Sequence, residues 1–348
     1  MKIDESRLKN TYRALAEAAV RTGAPSYFVE LTRAFDTGEL WRDYVSVLAA
    51  APSFAGGVVV DIGCKYGHAL PLFEVMGATR CIGVDVDDDY LRVGSSAFDA
   101  IGFPAQFLKS DEGYLPIDSE SVDFVLVNEV ISHVNPAYLD TLYAEISRVL
   151  KVGGAILISD GNNRANASCV ADLHQLFLAW ENGPAGTSTG RDVVSASFRE
   201  RRRDIISRLH PQLAGTEIDY LANNTSGLFG NRLTTEVEKY LRKDGWVERP
   251  YRPGLCPTNP SSGGMVMERA FHPVQVELTL AEFGIRARQV HVPDVAEATS
   301  LRNHIGRLVR NCKLAWLKAF SPDSLRGRTW AFQILGTKIS VPPSDWSA

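Results

Sequence analysis

Between Val58 and Asp85 the chain runs VVVDIGCKYGHALPLFEVMGATRCIGVD, and few folds accept such a stretch. Val58, Val59, Val60 and Ile62 form the short β-branched run that a strand buried on both faces requires. Gly63 and Gly67 bracket a turn in which the missing Cβ lets the backbone bend sharply and approach a ligand closely. A helical stretch follows, then a second strand that ends in Asp85. That carboxylate stands 22 positions after Gly63, where an acidic residue can hold ribose hydroxyls in a βαβ nucleotide site. The unit is expected to bind a nucleoside-containing ligand.

Two details argue against NAD and ATP. The G-x-G-x-x-G fingerprint needs its second glycine where the backbone touches a pyrophosphate, and Lys65 stands there. There is also no G-x-x-x-x-G-K-[ST] loop. Charge points the same way. Asp61 lies at the first strand's end, and Asp85, Asp87, Asp88, Asp89, Asp111 and Glu112 lie at or near later strand ends. So acidic a site repels a pyrophosphate and suits a cation. S-adenosylmethionine has an adenosine, no phosphate and a net positive charge. It is the ligand expected.

The same residues resemble the motifs of class I S-adenosylmethionine-dependent methyltransferases. DIGCKYG is similar to their D-x-G-x-x-x-G turn, and CIGVDVD to their second strand with its ribose-binding acid. SDEGYLPIDSESVDFVLVNEVISHV resembles the third-to-fourth strand segment, and ISRVLKVGGAILISD the helix, Gly-Gly turn and fifth strand. The resemblance is ordered and continuous over roughly residues 56–160, and departs at Lys65, where many relatives carry glycine. It implies a Rossmann-like, doubly wound, mainly parallel seven-stranded sheet, with N-terminal helices and a helical insertion.

The pattern along the chain follows that plan. Leu8, Tyr12, Leu15, Ala16 and Ala19 recur at helical spacing, and Gly23-Ala24-Pro25 breaks the run. Further helical stretches lie near residues 27–35 and 40–50; such leading helices either cover the cofactor or pack on the sheet edge. Strands are predicted near 58–62, 80–85, 105–109, 122–128 and 154–159, with helices at 67–76, 88–99 and 136–150. Beyond Asp160 the pattern is irregular, with helical pieces at 168–181, 192–209 and 234–243. Strands at 285–292 and 329–339, flanking a basic helical stretch at 300–319, would complete the sheet. The expected division is therefore an N-terminal helical segment at 1–50, a cofactor-binding core at 51–160, a substrate cap at 161–280 and a C-terminal completion at 281–348.

Composition excludes several classes of function. A 348-residue chain that is 45% hydrophobic can bury a full core with room for a second substructure. A formal net charge of −4 does not suit a general nucleic-acid binder. The cluster Arg199, Arg201, Arg202 and Arg203 is interrupted by Glu200 and Asp204 and reads as a solvated helix face. The five cysteines, Cys64, Cys81, Cys169, Cys256 and Cys312, show no C-x-x-C pairing. They point to free thiols in a reducing, cytoplasmic setting. The start MKIDESRLKN has no apolar centre, and no apolar run of roughly 18 residues spans a membrane. Neither nucleic acid nor membrane is an expected partner, and a homo-oligomer stays open.

For the cofactor, Gly63 and Gly67 shape the turn, with Cys64 between them. Asp61 orders the turn or the cofactor ammonium, and Asp85 accepts from the ribose, with Val86 beside it. Asp111 accepts from the adenine amino group with Glu112 as its alternate, and Asn128 touches the methionine portion. Asp87, Asp88 and Asp89 read as a helix start. Methyl transfer needs an aligned acceptor, exclusion of water and, for a hydroxyl, removal of a proton. His133, just after the fourth strand, is the first choice of base, then Glu129, then His272. His68, His174, His210, His291 and His304 read as surface or packing. No metal is expected, although Glu129, Asp160 and Asn162 could form a hard-oxygen site suited to Mg²⁺. The expected reaction is methylation of a hydroxyl on a small molecule or sugar. The alternatives are a small amine acceptor, or a catalytically silent cofactor-binding paralogue acting as a partner subunit.

Overall fold

The structure is a computed structural model and describes residues 3–189, 193–261, 263–290, 312 and 329–339. Helices α1 (Glu5–Arg21), α2 (Ser26–Asp36) and α3 (Glu39–Leu48) lead the chain. Asp4 caps α1 by accepting from the Arg7 amide at 3.0 Å. Strand and helix then alternate through β1 (Val58–Ile62), α4 (Leu70–Val75), β2 (Arg80–Asp85), α5 (Asp88–Ala100) and β3 (Ala105–Lys109). β4 (Val122–Asn128), α6 (Pro136–Val149) and β5 (Leu150–Asp160) continue the pattern. Next come α7 (Ala167–Asn182), α8 (Phe198–Leu209), α9 (Gly215–Asn223) and α10 (Gly230–Arg242). The described chain closes with α11 (Pro273–Glu282), β6 (Ile285–Val290) and β7 (Phe332–Lys338).

The seven strands form one sheet in the order β3-β2-β1-β4-β5-β7-β6. Strands β1 to β5 pair in parallel, and β7 runs antiparallel to β5 and β6. The order reverses between β1 and β4, and open α/β sheets bind ligands at the carboxyl ends of strands beside such a switch point. Val59, Phe124, Leu126 and Leu157 of the sheet share one apolar core with Leu8, Tyr12 and Leu15 of α1. Phe28 and Phe35 of α2 and Leu70, Leu72 and Phe73 of α4 belong to the same core. Burying each such aliphatic or phenyl side chain contributes roughly 1.5–3 kcal/mol.

Two compact units divide the chain. The first holds Met1–Val130, Tyr138–Gly161 and His272–Ala348, and so includes the leading helices and the sheet. The second holds Ile131–Ala137 and Asn162–Phe271. In it Leu173, Phe177, Trp180 and Phe198 form one apolar cluster, and Ile206, Leu221, Leu233 and Val237 another. Arg202 is fully buried, and its guanidinium binds both Glu181 and the Ala222 carbonyl. The reading of that arginine cluster as a solvated face therefore fails at Arg202. A buried charge persists only when paired and hydrogen-bonded, as this one is.

Other differences from the sequence reading have local causes. α4 begins at Leu70 rather than 67, because Gly67, with φ of 82°, still belongs to the turn. β5 starts at Leu150 and contains Gly153 and Gly154, which read as a turn; a register shift opposite Val122 and Phe124 absorbs the irregularity. α8 begins at Phe198, where Ser197 and Glu200 form a capping box, and not at 192. α9 and α11 were not expected as helices. Because α11 lies in the first unit, the second unit ends at Phe271 and not at 280. His291, His304, and the 300–319 stretch apart from Cys312 fall outside the described residues. Among the described residues no helix is long and apolar enough to cross a membrane.

Candidate active site

β1 runs straight into the turn. Gly63, Lys65 and Gly67 take positive φ values of 72°, 49° and 82°. The amides of Gly63 and Cys64 both donate to the Val84 carbonyl, at 2.7 and 3.1 Å, which ties the turn to the end of β2. A Cβ on Gly63 would sit 2.3 Å from Val130 Cγ2, and one on Gly67 2.6 Å from Phe107 Cζ. Glycine is thus required at both by packing as well as by conformation. Lys65 adopts the left-handed conformation that glycine takes easily, so the departure from the family pattern leaves the turn intact. Its amide donates to Asp85 Oδ2 at 2.8 Å, and its ammonium lies 5.9 Å over the Tyr27 ring.

The two central carboxylates differ sharply. Asp85 is buried, and its second oxygen accepts from the Asp87 amide at 3.0 Å. The Val86 amide also points to this carboxylate; a carboxylate offers about four acceptor positions, so acceptor capacity remains for a hydroxyl. Asp61 is 4% exposed, and among the described residues no hydrogen bond or ion pair reaches its carboxylate. Burial, reinforced by Asp85 nearby, pushes its pKa from 3.8 up to about 8. A buried carboxylate without a cation is a costly arrangement.

The remaining expected residues take varied places. Val86 is an exposed apolar side chain beside Asp85. Asp111 is exposed in a tight turn with Tyr114, whereas Glu112 already accepts from the Tyr138 hydroxyl at 3.1 Å. Burial pushes the Cys64 thiol upward, helped by Asp61 and then Asp85, so it packs as a neutral group. Asp87 caps α5 by accepting from the Asp89 and Tyr90 amides. Asn128 ends β4, near the Tyr44 hydroxyl of α3. Glu129 is exposed at φ 55°, with Oε2 accepting from the Gly161 amide at 3.0 Å.

Residues 60–158 match the family described as a methyltransferase domain. The chain carries a class I S-adenosylmethionine-dependent methyltransferase domain. A ubiquinone biosynthesis O-methyltransferase of Rhizobium etli (strain CIAT 652) is 27% identical over 144 residues, 41% of this chain and 56% of that protein. The chain thus matches little more than half the length of that relative. Among solved structures, an S-adenosylmethionine-dependent methyltransferase from Mesorhizobium loti aligns over 85% of this chain and 97% of its own, with TM-score 0.41 and 14% identity. A methyltransferase in complex with the Haloferax volcanii Trm112 methyltransferase activator aligns over 93% and 95%, with TM-score 0.44 and 15% identity.

The methyltransferase domain fits its family's cofactor on its own geometry. Among the described residues no ion pair reaches Asp61, and S-adenosylmethionine carries an ammonium and a sulfonium; Asp85 keeps acceptor capacity, and the ribose has hydroxyls to donate.

Among the candidate bases, His133 lies in the second unit, five residues past the end of β4. Its Nδ1 is 3.3 Å from the Val266 carbonyl and its Nε2 is 3.6 Å from Glu268 Oε1. Glu268 holds a left-handed backbone, φ 59°, and its other oxygen accepts from the fully buried Asn162 amide. Asn162 is thereby bound to Glu268. His272 is exposed at the N-cap of α11 in the first unit.

Sequence reasoning missed Glu268, Tyr44 and the special place of His68. Glu268 stands 135 positions from His133, with no motif to link them.

Proposed function

We propose that the protein transfers a methyl group from S-adenosylmethionine to a hydroxyl of a small molecule or sugar, in the cytosol. When bound, the cofactor supplies an already activated methyl group. The chain's own work is then to hold it, align the acceptor and manage one proton. Asp61 and the turn at Gly63–Gly67 would hold the cationic end, Asp85 the ribose, Val86 and Asp111 the adenine, and Asn128 the methionine portion.

The observation that carries the hydroxyl reading is the His133–Glu268 pair. An alcohol is a poor nucleophile until its proton is being removed, and a positioned base contributes about 10²–10⁴-fold. On gaining a proton, His133 would present Nδ1–H to the Val266 carbonyl and Nε2–H towards the Glu268 carboxylate. The family name of the O-methyltransferase relative agrees with this reading. Residues 162–271 would select the acceptor, since a long structured insertion after a complete cofactor motif acts as a binding cap.

The test is turnover of a panel of phenols, sugars and small amines with S-adenosylmethionine, following the demethylated product. Hydroxyl acceptors should react and lose rate in His133→Ala. Turnover confined to amines would overturn the hydroxyl reading. Tight cofactor binding with no turnover on any class would favour a silent partner subunit.

A further inference from the structure

The glycine turn makes an unusual set of contacts with the leading helices. His68, directly after Gly67, is buried at 4% exposure. Its carbonyl accepts from the Tyr12 hydroxyl of α1 at 2.7 Å. Its Nε2 lies 2.8 Å from Thr32 Oγ1 of α2, and that hydroxyl donates its single proton to the Phe28 carbonyl at 2.7 Å. Thr32 must therefore accept, so Nε2 carries the hydrogen and Nδ1 is left as a bare lone pair. Among the described residues Nδ1 has no partner. The imidazole stacks on Phe35 at 5.1 Å between centroids, with 20° between planes, and Phe28 is another 5.1 Å away. Burial, and then the Lys65 charge, push its pKa down to about 3, so the ring is neutral across the working range.

A leucine or phenylalanine would fill this apolar nest at no polar cost. Leu8, Leu15, Phe28 and Phe35 already anchor α1 and α2 in the core without it. A buried polar group in such surroundings fixes one arrangement rather than adding stability. What it fixes is the turn. Three residues before His68, the Lys65 amide grips Asp85, and the Lys65 and Tyr66 side chains also meet α2, at Tyr27 and Phe28.

We infer that His68 is a positioning residue for the cofactor, through which α1 and α2 set the conformation of the Gly63–Gly67 turn and hence its affinity for S-adenosylmethionine. The inference rests on the cofactor reading. Failure of the wild-type protein to bind S-adenosylmethionine would sink that reading, not the role of His68 alone.

The experiment is calorimetric titration of the full chain with S-adenosylmethionine, alongside thermal melts. Thr32→Val and His68→Leu each remove the Nε2 hydrogen bond. His68→Gln keeps an N–H donor near the same place. Ser147→Ala removes a buried hydrogen bond from α6 to the Phe283 carbonyl at the end of α11, away from the turn. Thr32→Val and His68→Leu should weaken binding roughly five- to tenfold, the scale of one buried hydrogen bond. The double variant should be no weaker than the worse single, because both break the same link. His68→Gln should recover most of the affinity, and Ser147→Ala should lower the melting temperature with binding unchanged. Binding within about twofold of wild type in both Thr32→Val and His68→Leu, or equal weakening in Ser147→Ala, would overturn the role. Should the His68 and Thr32 variants not fold, hydrogen exchange of the wild-type chain decides. Cofactor should slow exchange in residues 26–36 together with the turn, and slowing confined to the turn would refute the coupling.

Discussion

Replacing Asp61 with asparagine should make the cofactor-free protein more stable at alkaline pH and worse at binding. The side chain keeps its shape and loses the charge. In the unfolded chain Asp61 titrates near 3.8, and in the folded chain at about 8. The folded state therefore holds the extra proton between those values, and stability must fall as pH rises through that window. The contribution is complete below about 4 and gone above about 8. A shift of this size corresponds to on the order of 5 kcal/mol, at roughly 1.4 kcal/mol per unit. At pH 8.5 cofactor-free Asp61→Asn should thus exceed wild type by up to a few kcal/mol, with a flatter pH profile, read from urea melts.

The binding side of the same arithmetic has opposite sign. At pH 7 ionising Asp61 costs roughly 1.4 kcal/mol, which the cofactor's ammonium must offset when it pairs with the carboxylate. Between pH 5.5 and 7, below the range near 8 where an α-amino group loses its own proton, affinity should rise towards tenfold per unit. Calorimetry in buffers of different ionisation enthalpy should count close to one proton released from the Asp61–Asp85 pair on binding. Asp61→Asn should release none and bind more weakly by about 1.5–3 kcal/mol, the range for hydrogen bonds to a charged group. No proton release in wild type, or a stability profile that Asp61→Asn leaves unchanged, would refute the reasoning.

Asp85→Ala should weaken S-adenosylmethionine binding by about 1.5–3 kcal/mol and leave NAD without measurable binding in the same titration. His133→Ala should lower methyl transfer by about 10²–10⁴-fold with little change in cofactor affinity. An unchanged rate would pass the role to Glu129, His272 or water. Arg202→Ala should destabilise the second unit by about 3–5 kcal/mol by stranding the buried Glu181 charge, and a urea midpoint equal to wild type would contradict this.

How much of this was legible in the sequence depends on the span of each interaction. The β-branched run before Gly63 and the acid 22 positions later are local signals, and they placed β1 and β2, with Asp85 at the end of β2. The parallel pairing of β1 to β5 follows from alternation of strand and helix. What was lost lies at long range. Thr32 and Tyr12 meet His68 from 36 and 56 positions away, so the histidine read only as packing. Arg202 looked solvated because its neighbours are charged, while the residue that neutralises it, Glu181, sits 21 positions earlier on another helix. Acidity near a strand end was visible in the sequence, but its character was not. Asp85 is held by backbone amides, Asp87 is a helix cap, and Asp61 is buried with no ion pair among the described residues. Identical side-chain chemistry thus yields an amide-bound carboxylate, a structural cap and a buried carboxylate whose pKa is raised. Which is which follows from the backbone amides each one meets, and those are fixed only when the turn closes on β2.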